Sequence, residues 1–286
     1  MEIILQTFGS VPDEIRLEIQ NVLEECYHQL SPHGLEIVDV LLFKDSSRME
    51  AHAAAQHDAL GVQSSGFEAN FVAMHEAWTG IPRILICYER LHQLSPPLRA
   101  AILRHEAAHS VLHGSPEYYI FSLPRSLLEA AQKYGFPRIF TTNILYLISI
   151  GVKDYEVTKL LLDHRFIEDQ KSYALFVSRT DHDDLEAWNL SKGEPKKELL
   201  CLVGRFKDLA CLAAAASQHG WENLEDSPIE KELAYLPVDI RKKLLELSWS
   251  LRETNSYDTF AKVEYSSNLV VNRLIEPLFS NSADRK

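Results

Sequence analysis

Residues 103–114 read LRHEAAHSVLHG, three histidines and a glutamate in a run that otherwise has the period of an apolar helix face. Leu98, Ile102, His105, His109 and Leu112 follow one another at spacings of four, three, four and three, which marks one face of an α-helix. His105 and His109 therefore lie one turn apart, with both imidazoles able to reach one point. Zinc suits that arrangement, taking ring nitrogens at about 2.0–2.1 Å in a tetrahedral shell. Glu106 lies beside them, rotated off the stripe, where it can hold a metal-bound water and act as general base. Without a metal, two histidines on a core stripe would each need buried hydrogen-bond partners. His113 lies about 12 Å along the helix from His105, too far for both rings to reach one ion. It is assigned to the helix C-terminus, where an imidazole interacts favourably with the macrodipole. The third ligand must come from elsewhere.

The helix that carries the motif has clear ends. Ser95 is a good N-cap, Pro96 and Pro97 suit a first turn whose N–H groups have no intrahelical partners, and Gly114 marks the stop. Before it, residues 2–8 (EIILQTF) and 35–43 (LEIVDVLLF) predict strands, with a helix over 11–30 between them. Residues 46–61 predict an alanine-rich helix ended by Gly61. Two more strands, 70–78 (NFVAMHEAW) and 82–91 (PRILICYERL), meet around Thr79-Gly80-Ile81-Pro82. Beyond residue 120 the strand signals largely stop. Residues 126–135, 142–151, 154–164, 198–220 and 237–253 have helical period, and the polar stretch 176–197 is the expected linker or surface loop. Strands first and helices after predict an α+β protein: a small N-terminal mixed sheet with the motif helix over 1–171, then a mainly helical part over 172–286.

Composition narrows the function. The chain has 286 residues, 46% hydrophobic, with a formal net charge of −12, which argues against a general nucleic-acid binder. The longest apolar stretch, NILYLISIGV, is far short of the ~20 residues that span a bilayer, and the first residues lack a signal-peptide pattern. A cytoplasmic protein that does not enter a membrane is expected. Cys26, Cys87, Cys201 and Cys211 form no CxxC and are expected to be buried, reduced thiols. Asp181, Asp183, Asp184 and Glu186 are expected to be a solvated loop, and the small-residue run 209–220 to be core.

HEAAH resembles the zinc-binding helix of the zincin metallopeptidases. Residues 151–166, GVKDYEVTKLLLDHRF, look like the second helix of the gluzincin branch, E-x-x-A-[DN] followed by an apolar run, as in CAAX-processing-type membrane peptidases and soluble ImmA/IrrE-like peptidases. Laid on that pattern, Asp154 takes the third-ligand position, Val157 the small one and Thr158 the polar one. Asp154, Val157, Thr158 and Leu161 also share a helix face. Asp154 is one methylene shorter than the glutamate of the pattern. Glu156 has the expected type in a less suitable register and is the alternative third ligand, followed by His164 and Glu117. The resemblance covers roughly residues 60–166. It implies a zincin-like fold, a Zn²⁺ cofactor and hydrolysis of a peptide or protein substrate with Glu106 as general base. It also implies a strand near the metal that binds substrate in extended form; residues 82–91 are the candidate, with an ordinary interior strand as their alternative role. Tyr118, Tyr119, Tyr146 and Tyr155 are candidate hydrogen-bond donors to the transition state. The alternative function is a catalytically inactive zinc-binding regulatory or interaction protein on the same fold. A metal-free scaffold is a further rival, and oligomeric state is open.

Overall fold

A computed structural model describes residues 1–60, 71–219, 229–253 and 258–283. Gly61, Asn70 and Gly220, which figure in the expected element ends, lie outside the described residues. The chain divides into two compact units, one formed by residues 1–120 and 160–172, the other by 121–159 and 173–286.

In the first unit, β1 (Glu2–Phe8), α1 (Asp13–Gln29), β2 (Ile37–Phe43), α2 (Ser46–Leu60), β3 (Ala73–Glu76) and β4 (Arg83–Cys87) are followed by the short α3 (Tyr88–Leu91) and by α4 (Pro96–His113). The sheet is mixed, in the order β1-β2-β4-β3. β1 and β2 are parallel from Glu2 opposite Ile37 to Phe8 opposite Phe43, and β2 and β4 are parallel from Asp39 opposite Arg83 to Phe43 opposite Cys87. β3 runs antiparallel to β4, Ala73 opposite Ile86 and Glu76 opposite Arg83. Leu41, Phe43, Leu85 and Cys87 pack with Met49 of α2 on one face, while Val38, Val40, Leu42, Ile84 and Ile86 alternate onto the other and are equally buried. All five residues of β4 are buried. Both of its edges are paired, so residues 83–87 form an interior strand and cannot receive an added substrate strand. Its expected continuation through Tyr88–Leu91 is helical instead.

α1 and α4 pack together, and their contact is polar as well as apolar. Ile19, Leu23 and Cys26 of α1 and Ile102 and Leu103 of α4 are buried, each large aliphatic contributing about 1.5–3 kcal/mol. Arg99 makes a two-pronged ion pair with Glu18 at 2.8 and 2.9 Å. Tyr27 and Ser110 join their buried hydroxyls at 2.6 Å.

The second unit is helical: α5 (Arg125–Tyr134), α6 (Arg138–Asp163, its residues through Lys159), α7 (Ile167–Val177, from Tyr173), α8 (His182–Ser191), α9 (Pro195–Asp208), α10 (Ala210–His219), α11 (Ile229–Glu232), α12 (Val238–Trp249), α13 (Thr259–Val270) and, after a π-helical turn over Val271–Ile275, α14 (Glu276–Ala283). Residues 142–151 and 154–164, expected as separate helices, are one. Gly151 does not break α6; a Cβ there would stand 3.2 Å from the Lys207 Cα and 3.4 Å from the Phe206 ring of α9. The missing side chain lets α9 approach closely, which offsets the ~1 kcal/mol helix-propensity penalty of glycine. The stretch 176–197 is not a loop either. Asp181 and Asp184 form a reciprocal capping box that starts α8, and Asp183 adds negative charge to the same first turn. Polar composition there signals a helix start. The buried Arg205 of α9 donates to the carbonyls of Ser178 and Arg179 beyond the end of α7. Among the described residues, no helix is long and apolar enough to cross a membrane.

Gly151→Leu should push α9 off α6 and lower stability by about 2–3 kcal/mol, read as a lower urea midpoint by circular dichroism. An unchanged midpoint would show that the close approach is not needed.

Candidate metal centre

α4 starts after Ser95, whose backbone is extended (φ −64°, ψ 149°) and whose hydroxyl makes no cap hydrogen bond. Pro96 and Pro97 fill the first turn, so two of the N–H groups that a cap would serve are absent. Gly114 ends the helix without a left-handed turn, at φ −77°. A Cβ there would lie 2.1 Å from the Ser110 carbonyl oxygen, so no side chain fits.

Between these ends, burial is not confined to one stripe. His105 is 1% exposed, Glu106 7%, His109 9% and His113 1%, and Ala107, Ala108 and Ser110 are fully buried. The imidazoles form a chain along the helix. His105 Nε2 and His109 Nε2 are 3.1 Å apart, and His109 Nδ1 lies 3.3 Å from His113 Nδ1. His75 of β3 stacks parallel to His109 at 5.9 Å between ring centroids, and its Nδ1 is 3.0 Å from the Tyr119 hydroxyl. Tyr118 meets His113 edge-on at 5.1 Å. His105, His109 and Asp154 each place one ligand atom within 4.8 Å of the others.

Comparisons with family models, curated proteins and solved structures find no match for this chain. What the group can do follows from its own side chains. Two imidazole nitrogens on one tetrahedral zinc stand about 3.3 Å apart, close to the 3.1 Å found. Two histidines and one carboxylate form a donor set that suits zinc and leaves a fourth position open. The residues fit the ion that the motif implies.

Glu156 is engaged elsewhere. Its Oε1 is 2.6 Å from the Lys262 ammonium, and its Oε2 accepts from the Thr259 hydroxyl at 2.9 Å, both on α13. His164 turns its Nδ1 to the Leu160 carbonyl oxygen at 2.9 Å, and Glu117 sits in a 3-10 turn over Pro116–Tyr119, outside the group. Tyr146 is largely exposed and Tyr155 is buried. His113 is the last residue of α4, as expected, and it is buried there in the imidazole chain. His75 escaped the sequence reading altogether. Its only signal is a histidine in a short strand ahead of the motif helix, which is weak.

Nearby ionisable groups respond to burial. Desolvation pushes the Lys153 ammonium down to about 8, against the attraction of Asp154 and Glu156. It raises the Cys211 thiol well above its ordinary value, so this neighbour of the Asp154 carbonyl stays protonated. The Tyr27 hydroxyl is likewise raised by burial, opposed by its bond to Ser110. The four cysteines are free.

Removing the cation from a buried ion pair leaves the acid uncompensated. Lys262→Met is therefore expected to lower stability by about 3–5 kcal/mol. Adding Glu156→Gln should restore much of that loss, as measured by urea unfolding of both variants.

Proposed function

We propose that this chain is a zinc-dependent peptidase of zincin type. The observation that carries the reading is the grouping of His105 and His109, ring nitrogens facing at 3.1 Å, with the Asp154 carboxylate, and with Glu106 next in the chain to His105. The mixed sheet, with α4 packed on β3, adds support.

Zinc, when bound, supplies a Lewis acid for the substrate carbonyl and a lowered water pKa. His105, His109 and Asp154 would hold it. The Glu106 carboxylate accepts a hydrogen bond from water and takes its proton as the oxygen attacks the peptide carbonyl carbon. It then delivers that proton to the amine as the C–N bond breaks. Burial of Glu106 limits competing bulk water and makes its carboxylate a stronger acceptor.

β3 replaces residues 82–91 as the strand that receives substrate. It ends the sheet order, so its side away from β4 has no strand among the described residues. An extended peptide can add there through main-chain hydrogen bonds. His75 and Tyr119 belong to that strand's immediate surroundings, which makes Tyr119, of the four candidate tyrosines, the one best placed to donate toward a developing oxyanion.

Elemental analysis should find about one zinc per chain, lost in His105→Ala and Asp154→Ala and retained in Glu156→Gln and Glu106→Gln. Glu106→Gln should lower peptide hydrolysis by at least about 10²-fold. Zinc-loaded Glu106→Gln that keeps full cellular function would favour a regulatory zinc protein instead. Wild-type protein that takes up no zinc would end the metal reading.

A further inference from the structure

The two nitrogens of His109 have different neighbours. Nε2 faces His105 Nε2, and Nδ1 faces His113 Nδ1 at 3.3 Å. A neutral imidazole carries one proton, so one nitrogen donates and the other offers a lone pair. If Nε2 is to ligate, the proton must sit on Nδ1, and His113 Nδ1 is positioned to receive it. His113 must then carry its own proton on Nε2. The i, i+4 spacing that aligns His105 with His109 repeats once more to place His113, which the Tyr118 ring holds edge-on. At 1% exposure, solvent has almost no access to His113.

We propose that His113 is a positioning residue that holds His109 in the metal-ligating tautomer. The assignment rests on the metal reading given above. A ligating histidine ordinarily donates its second N–H to a carboxylate, a backbone carbonyl or water. Here the acceptor is a neutral imidazole on the same helix. It fixes ring orientation and tautomer without placing another negative charge beside a site that already holds Glu106 and Asp154. The His113 side chain touches neither substrate nor ion in this scheme and acts only through His109.

The test compares zinc affinity of the full chain in wild type, His113→Leu and His113→Asn, by competition with a chromophoric chelator at one pH. Leucine removes the acceptor, and zinc should bind about 10- to 100-fold more weakly. Asparagine carries an oxygen close to the place of Nδ1 and should stay within a few-fold of wild type. A packing role ranks the variants oppositely, since leucine fills the apolar part of the site better. Thermal unfolding of the metal-free proteins reads that ranking separately. Leucine binding zinc as tightly as wild type, or asparagine binding as weakly as leucine, would overturn the assignment while leaving the metal centre standing. Should His113→Leu not fold, ¹⁵N spectra of zinc-loaded wild type decide. A proton on His109 Nδ1 with His113 Nδ1 bare supports the assignment, and a proton on His113 Nδ1 refutes it. Wild type without zinc affinity would remove the metal reading and this assignment with it.

Discussion

α4 must be buried and polar at once, and the rest of the first unit is arranged around that demand. Burying a polar group without a partner costs more than an ordinary hydrogen bond returns. Across three turns this helix nevertheless buries three imidazoles, a carboxylate and a hydroxyl. The spacing of four gives each imidazole a neighbour on its own helix, so much of the polar surface is met locally. Ser110 is met from α1 through Tyr27. Ala107 and Ala108 reduce the bulk of the remaining surface, which lets neighbouring elements close over it.

The charged contacts orient the helix more than they stabilise it. Arg104 reaches both Glu25 of α1 and Asp169 of α7, with its guanidinium over the Phe166 ring. Burial still holds the Asp169 carboxyl above its ordinary value, opposed by Arg104. Desolvation therefore consumes much of the attraction, as is usual for ion pairs withdrawn from water. What the pairing retains is direction: a planar guanidinium held by the partly buried Asp169 on one side and by Glu25 on the other limits rotation of α4 about its axis. Ring positions a few tenths of an ångström apart decide whether two nitrogens can share an ion, so that rotation matters.

Local rules carried the sequence reading as far as the chemistry was local. His105 and His109 could be placed together because a helix converts a spacing of four into a shared face. The placement of Asp154 came from resemblance and from its position on the face of α6. The chain order of strands and helices gave the α+β class, but not which strand lies inside the sheet. β4 is interior because β3 folds back on it, a tertiary fact that leaves no mark within residues 82–91. The polar run at 176–197 misled because capping residues and loop residues share a composition. Gly151 misled because a glycine that ends a helix and one that admits a neighbouring helix look alike in sequence. Spacing puts His113 at the helix end, beyond reach of an ion shared with His105; its Nδ1 contact with His109 depends on ring orientation, which spacing does not give.

The two acids on α6 show how one helix can turn closely spaced carboxylates in different directions. Successive residues turn about 100°, so positions two apart point some 200° away from each other. Asp154 and Glu156 cannot serve one ion from a regular helix. Glu156 is neutralised by Lys262 and held by Thr259 on α13, while Asp154 offers a carboxylate oxygen within 4.8 Å of ring nitrogens of His105 and His109. A buried glutamate with no cation would be a second, competing sink for a divalent ion or a proton. Pairing it with lysine removes that competition and also fixes α6 against α13. Aspartate is one methylene shorter than glutamate, so the place of its carboxylate follows the α6 backbone closely. In a side chain so short, reach comes from the helix, and the contacts that set α6, Glu156 with α13 and Gly151 with α9, set the Asp154 carboxylate with it.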